Sequence, residues 1–131
     1  MQRKSGIWII LQRAVFGPHG KSLVVADSIT QYHDKESREL SKLAAEANLS
    51  VRALGFKPYI APALSSAAIS ILLTMRGADH YGSVALHEIY FGCKNKYTKE
   101  GLETECQELP GQLYERIRSA YRELEEISDN C

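Results

Sequence analysis

Three cysteines, four prolines and one tryptophan are all that 131 residues hold of those types. Cys93, Cys106 and Cys131 lie far apart, giving neither the even, closely spaced set of a disulfide framework nor the C-x-x-C pairs of a zinc site. Their scarcity points to a reducing, cytoplasmic compartment. Surplus charge is missing too: sixteen Lys/Arg balance sixteen Asp/Glu, so the chain has no general attraction to nucleic acid. Long hydrophobic runs are also missing. After Met1-Gln2-Arg3-Lys4 an apolar run of five residues soon meets Gln12 and Arg13, which does not make a secretory signal. The uncharged stretch from Pro62 up to Arg76 spans roughly 22 Å as a helix against the ~30 Å of a bilayer core.

What is present is an ordinary globular composition, 44% hydrophobic, expected to fold as a single domain over residues 1–131. Charge is unevenly placed along it. Residues 1–66 hold nine basic against five acidic side chains, and residues 67–131 hold seven against eleven. Two such halves can attract each other within one subunit or between subunits.

The stretch PALSSAAISILLTMR, residues 62–76, reads as a central helix. Proline favours the first turn, where its missing donor costs nothing, and Gly77 suits the left-handed position just past the end. At about 100° per residue, Leu64, Ile69, Ile71, Leu72, Leu73 and Met75 cover one arc, while Ala63, Ser66, Ala67, Ser70 and Thr74 form a narrow stripe of small side chains. The expectation is a buried helix with its bulky side on a sheet and its small side open to a close helical neighbour.

In chain order, Ile7–Phe16 and Leu23–Ile29 read as strands of a hairpin around Gly17-Pro18-His19-Gly20. Asp34 is placed to cap a helix running to about Ala47. Val51–Ile60 reads as an edge strand or an irregular lead, because of Gly55 and Pro58. Ser83–Phe91 is predicted as one strand stopped by Gly92, and Thr98 as the cap of a weak helix broken by Pro110. From Pro110 the spacing of Leu113, Tyr114, Ile117, Ala120, Tyr121, Leu124 and Ile127 predicts a C-terminal amphipathic helix. The predicted class is α+β, a small antiparallel or mixed sheet packed around the buried helix at 62–76.

Several motifs invite chemistry. Gly17-Pro18-His19-Gly20-Lys21-Ser22 ends like a phosphate-binding loop, but the position for that loop's first glycine is Val15, and Leu23-Val24-Val25 prefers strand to helix. No cofactor motif is complete, so no cofactor is expected. His80 and His87, with Asp79 and Glu88 beside them, lack the H-x-x-x-H spacing of a metal pair. Cys93 has Lys94 and Lys96 as neighbours but no readable histidine partner. Leu43–Leu54, LAAEANLSVRAL, resembles the helix-turn-helix of bacterial transcription regulators, including those of the mercury-resistance-regulator type. The resemblance implies a left-handed turn at Asn48, Leu49 in the core, Ser50 as a cap and Arg52 facing DNA, on a second helix truncated by Gly55 and Pro58.

With no complete catalytic motif, the expected function is a small cytoplasmic, non-enzymatic binding or regulatory protein. It is expected to be a homo-oligomer that takes a partner protein or a small anionic ligand. One alternative is a small enzyme using the His/Tyr/Arg cluster at 76–87, and a second is a DNA-binding regulator using residues 43–54. The expected ligand-binding residues are Arg76, His80, Tyr81 and His87, joined by His19 and Lys21 from the hairpin turn. Arginine and lysine pair with carboxylate or phosphate, tyrosine stacks on planar groups, and histidine exchanges protons near neutrality.

Overall fold

The computed structural model describes residues 13–57, 61–105 and 107–130, with the backbone alone at 61–66. The elements in order are β1 (Val15–Phe16), β2 (Val24–Val25), α1 (Asp34–Ala45), α2 (Ala47–Ala53), α3 (Ala61–Met75), β3 (His80–Leu86), β4 (Ile89–Thr98), β5 (Gly101–Thr104) and α4 (Gly111–Asp129). They make an α+β fold with two small antiparallel sheets, β1–β2 and β3–β4–β5, and a C-terminal helix. Among the described residues no helix is long and apolar enough to cross a membrane.

The two sheets meet at one point. Gly17 and Gly92 exchange both backbone hydrogen bonds, each 3.0 Å. A Cβ on Gly92 would lie 2.8 Å from the Gly17 carbonyl oxygen, so only glycine allows the crossing. Gly92 therefore continues β4 rather than ending a strand. Around the crossing lies the core of Phe16, Val24, Ala26, Ile89, Phe91, Leu113 and Ala120. Phe16 meets Tyr81 edge-on with ring centres 5.5 Å apart, an arrangement that aromatic quadrupoles favour.

The hairpin at 13–26 is shorter than its apolar pattern. Val15 pairs with Val25 and Phe16 with Val24, and the predicted residues 7–12 lie outside the described ones. The other side of Val25 is satisfied by helix α1 instead of by a strand. The Ser41 hydroxyl accepts from the Val25 N–H at 2.9 Å, and the Ser37 hydroxyl donates to the Val25 carbonyl at 2.7 Å. Two buried serines thus replace the missing ladder partner.

Helix α1 starts at Asp34, but its N-cap is His33, and no side chain makes a cap bond. Asp34 faces along the helix to Arg38, an i,i+4 pair at 2.6 Å. The helix breaks at Glu46, and α2 then runs through Asn48, Leu49 and Ser50 as regular turns. Leu43 and Leu49 are exposed, 63% and 54%, so neither plugs a core. The predicted helix-turn-helix is corrected: its turn lies two residues early and leaves no buried residue in α2.

Helix α3 forms where Pro62 and Gly77 place it. Gly77, at φ 65°, closes a Schellman motif in which Gly77 N–H donates to Thr74 and Ala78 N–H to Leu73. The expected burial is corrected, because the orientation is reversed. Ser70 and Thr74, from the small stripe, face β3, and their hydroxyls lie 3.2 Å from His80 Nε2. Ile69, Ile71, Leu72 and Met75 face outward and are exposed. Small hydroxyls satisfy the His80 ring at the sheet, and the bulky arc is left exposed among the described residues.

The strand predicted at 83–91 is two strands. Leu86 pairs with Ile89, so His87-Glu88 is a two-residue turn, with His87 at φ 55°. The helix predicted from Thr98 is also replaced by a hairpin. Lys99-Glu100 turns β4 into β5, Gly101 takes φ 123°, and the Thr98 hydroxyl donates to the Gly101 carbonyl at 3.3 Å. Helix α4 has Pro110 as its N-cap and buries Leu113 and Ala120 against the sheet, while Tyr114 and Ile127 remain exposed.

Candidate functional site

The turn from Gly17 to Ser22 gains rigidity from below. Gly17 is fastened to β4, Leu23 N–H donates to the Gly20 carbonyl at 3.2 Å, and the Ser22 hydroxyl donates to the Glu123 carboxylate on α4. His19 stands exposed on this turn, and Lys21 beyond it is exposed as well. A side chain on so short and doubly anchored a loop is presented without reorganisation.

Beside the turn runs a groove of about 550 Å³, bounded by Lys21 and Leu23 of the hairpin, Arg38 and Lys42 of α1, Leu49 of α2 and Arg116 of α4. Arg116 holds this side of the molecule together. Its Nη1 donates to the Tyr32 hydroxyl at 2.9 Å and to Ser37 at 2.6 Å, and its Nη2 donates to Ser41 at 3.1 Å. Tyr32 in turn donates to Asp34 at 2.9 Å. Every hydroxyl in this network both donates and accepts, so its geometry is determined. The carboxyl of Asp34 is held below its ordinary range, first by the Arg38 hydrogen bond, with Tyr32 adding to it.

The residues singled out at 76–87 are not gathered in one place. Arg76 is exposed just past the end of α3. His80 is half-buried with its ring engaged on both sides, Nε2 near Ser70 and Thr74 and Nδ1 3.2 Å from the Ala78 carbonyl. Tyr81 packs on Phe16, and burial pushes its hydroxyl up. His87 lies at the far end of β3, about 20 Å from His80 along a seven-residue strand. There it borders a different hollow with Glu88, Glu125 and Asp129, an acidic setting. His19 and Lys21 are brought together, on the hairpin turn.

One grouping escaped the sequence reading. Asp27, 5% exposed, accepts from the His33 backbone N–H at 3.1 Å and lies 2.8 Å from the His33 ring Nδ1. Burial alone would raise the Asp27 carboxyl; the bonds from His33 outweigh it and hold it low. With Glu36 these side chains put three possible metal-ligand atoms within 4.8 Å of one another. The signal was present as D-x5-H-x2-E at the entrance to α1, but that spacing is not a recognised ligand pattern. Arg116 was missed for a different reason. On α4 it sits among Glu115, Arg118, Arg122 and Glu123, and only the fold turns it toward α1.

No protein-family model matches the chain, and no curated protein matches it. Solved structures do. Over 88% of this chain the fold is similar to malate dehydrogenase from Archaeoglobus fulgidus in complex with NADH, at a TM-score of 0.66 and 21% identity. Over 91% it is similar to malate dehydrogenase from Plasmodium falciparum, at a TM-score of 0.67 and 10% identity. The chain spans 42% and 46% of those two chains, less than half of either. These neighbours overturn the expectation of a small non-enzymatic binding or regulatory protein, since the fold it shares is found in enzymes. That expectation rested on finding no complete catalytic motif in the sequence.

Proposed function

We propose that this chain forms the substrate-facing half of a dehydrogenase acting on a 2-hydroxy acid of the malate class. The observation that carries the reading is the fold likeness to two malate dehydrogenases over about nine-tenths of the chain. Oxidising a 2-hydroxy acid requires a group that takes the hydroxyl proton, and histidine titrates in the right range. Of the described histidines, His80 has both ring nitrogens engaged, by Ser70, Thr74 and Ala78, and His33 stands between the carboxylates of Asp27 and Glu36, which repel a dicarboxylate substrate. His87 sits among carboxylates, which repel a dicarboxylate substrate. His19 remains, exposed on an anchored turn two residues from Lys21, whose ammonium pairs with a substrate carboxylate.

A dinucleotide does not fit the described residues. Its crevice lies at the carboxyl ends of parallel strands, behind a glycine-rich strand-to-helix turn. All strand pairings among the described residues are antiparallel, so no step involving a nicotinamide is assigned to them. Its sparse cysteines support a cytoplasmic location, and the exposed apolar arc of α3 supports association with a second copy.

The test is calorimetric titration of malate into the chain and into its His19→Asn and Lys21→Gln variants. Saturable binding to the wild type, weakened about tenfold by either change, is the expected result. Equal affinity in all three proteins would place the hydroxy acid elsewhere.

A further inference from the structure

Beyond the hydroxy-acid reading, the groove between the hairpin turn, α1 and α4 carries more positive charge than the described residues neutralise. Lys21, Arg38, Lys42 and Arg116 border it, against one carboxylate, Glu46. Among the described residues neither Lys21 nor Lys42 has an ion-pair partner. Arg38 spends its Nε on Asp34 and keeps both terminal nitrogens unpaired among the described residues. Arg116 gives three N–H groups to hydroxyls, and its one nearby carboxylate, Asp34, is 3.9 Å away and already bonded to Arg38. Among the described residues, an Nη2 N–H and the Nε N–H of Arg116 are left over.

We propose that this groove is a binding site for a small phosphoryl-bearing anion, with Lys21, Lys42, Arg38 and Arg116 as its donors. The donors come from three separate elements and converge from different sides, which suits the three oxygens of a phosphoryl group; a planar carboxylate uses two. Leu23, Ala45 and Leu49 along the same groove offer an apolar wall to the organic part of such a ligand. His19 does not line the groove. The site is therefore separate from the proton-transferring position, although Lys21 stands near both.

Inorganic pyrophosphate is the probe, titrated into the full chain at fixed ionic strength and read by calorimetry, with amide and side-chain NMR shifts locating it. Saturable binding is expected, with shifts at Lys21, Lys42 and Arg116. The Lys21→Gln/Lys42→Gln double variant should bind at least about tenfold more weakly. Lys99→Gln, on the β4–β5 turn, should bind as the wild type does. Arg116 is left unchanged because the fold depends on it. The proposal is overturned by non-saturable binding, by unchanged affinity in the double variant, or by malonate binding more tightly than pyrophosphate. Pyrophosphate binding without any malate response at His19 would uphold this site and sink the hydroxy-acid reading; the reverse pattern would do the opposite.

Discussion

Gly17 and Gly92 touch backbone to backbone, with two reciprocal hydrogen bonds of 3.0 Å and no room for a Cβ on Gly92. This contact joins the two sheets and sets the position of the turn that carries His19. Gly92→Ala places a methyl group 2.8 Å from a backbone oxygen that has nowhere to move, and should cost about 1–3 kcal/mol in urea unfolding. Gly111→Ala, at the start of α4 with no heavy atom within 4 Å of the new Cβ, should be neutral or stabilising by about 0.4–1 kcal/mol. Equal losses at both sites would mean that the crossing bears no strain.

Helix α4 should show its packing through a pair of neighbours. Leu113 is fully buried and Tyr114 is half in solvent. Leu113→Ala is expected to cost about 2–5 kcal/mol. Tyr114→Ala should stay within about 0.5 kcal/mol. Chemical denaturation of the two variants measures both, and a reversed order would contradict the placement of α4.

Removing the Ser37 hydroxyl strips a donor from the Val25 carbonyl and an acceptor from Arg116 in one step. Ser37→Ala should cost about 1–3 kcal/mol, because the Val25 carbonyl stays buried without that partner. Thermal unfolding unchanged from the wild type would show that water replaces the hydroxyl.

Asp27 gives the stability a pH dependence of known sign. Its carboxyl is lower in the folded chain than in the unfolded one, because the hydrogen bonds from His33 outweigh its burial. The folded state therefore binds fewer protons than the unfolded state in that interval, and stability rises with pH. The contribution is complete above the ordinary carboxylate value of about 4 and is lost as pH falls through the folded value. Urea midpoints measured from pH 6 downward should fall more steeply for the wild type than for Asp27→Asn. Parallel curves would mean that the bonds to His33 do not favour the ionised form.

Much of this fold was legible locally. Pro62 and Gly77 bracket α3, and the spacing from Leu113 to Leu124 marks α4, because capping and 3.6-residue periodicity act over a few residues. The turns were harder. His87 adopts φ 55° without being glycine, so the break between β3 and β4 had no sequence mark. The orientation of α3 was not readable, since its uncovered arc of Ile69, Ile71, Leu72 and Met75 looks like any core stripe. The candidate site was half legible. His19 and Lys21 stood out by residue type, whereas Arg116 and the Gly17–Gly92 contact depend on pairs distant in sequence, which no local pattern encodes.

The most direct measurement is an NMR titration of the His19 ring with malate, run beside succinate, the same dicarboxylate without the hydroxyl. If His19 exchanges a proton with a 2-hydroxy acid, malate should move its ring signals saturably and succinate should leave them nearly unchanged. Identical responses to the two acids, or malate shifts confined to the basic groove while His19 stays still, would contradict the account.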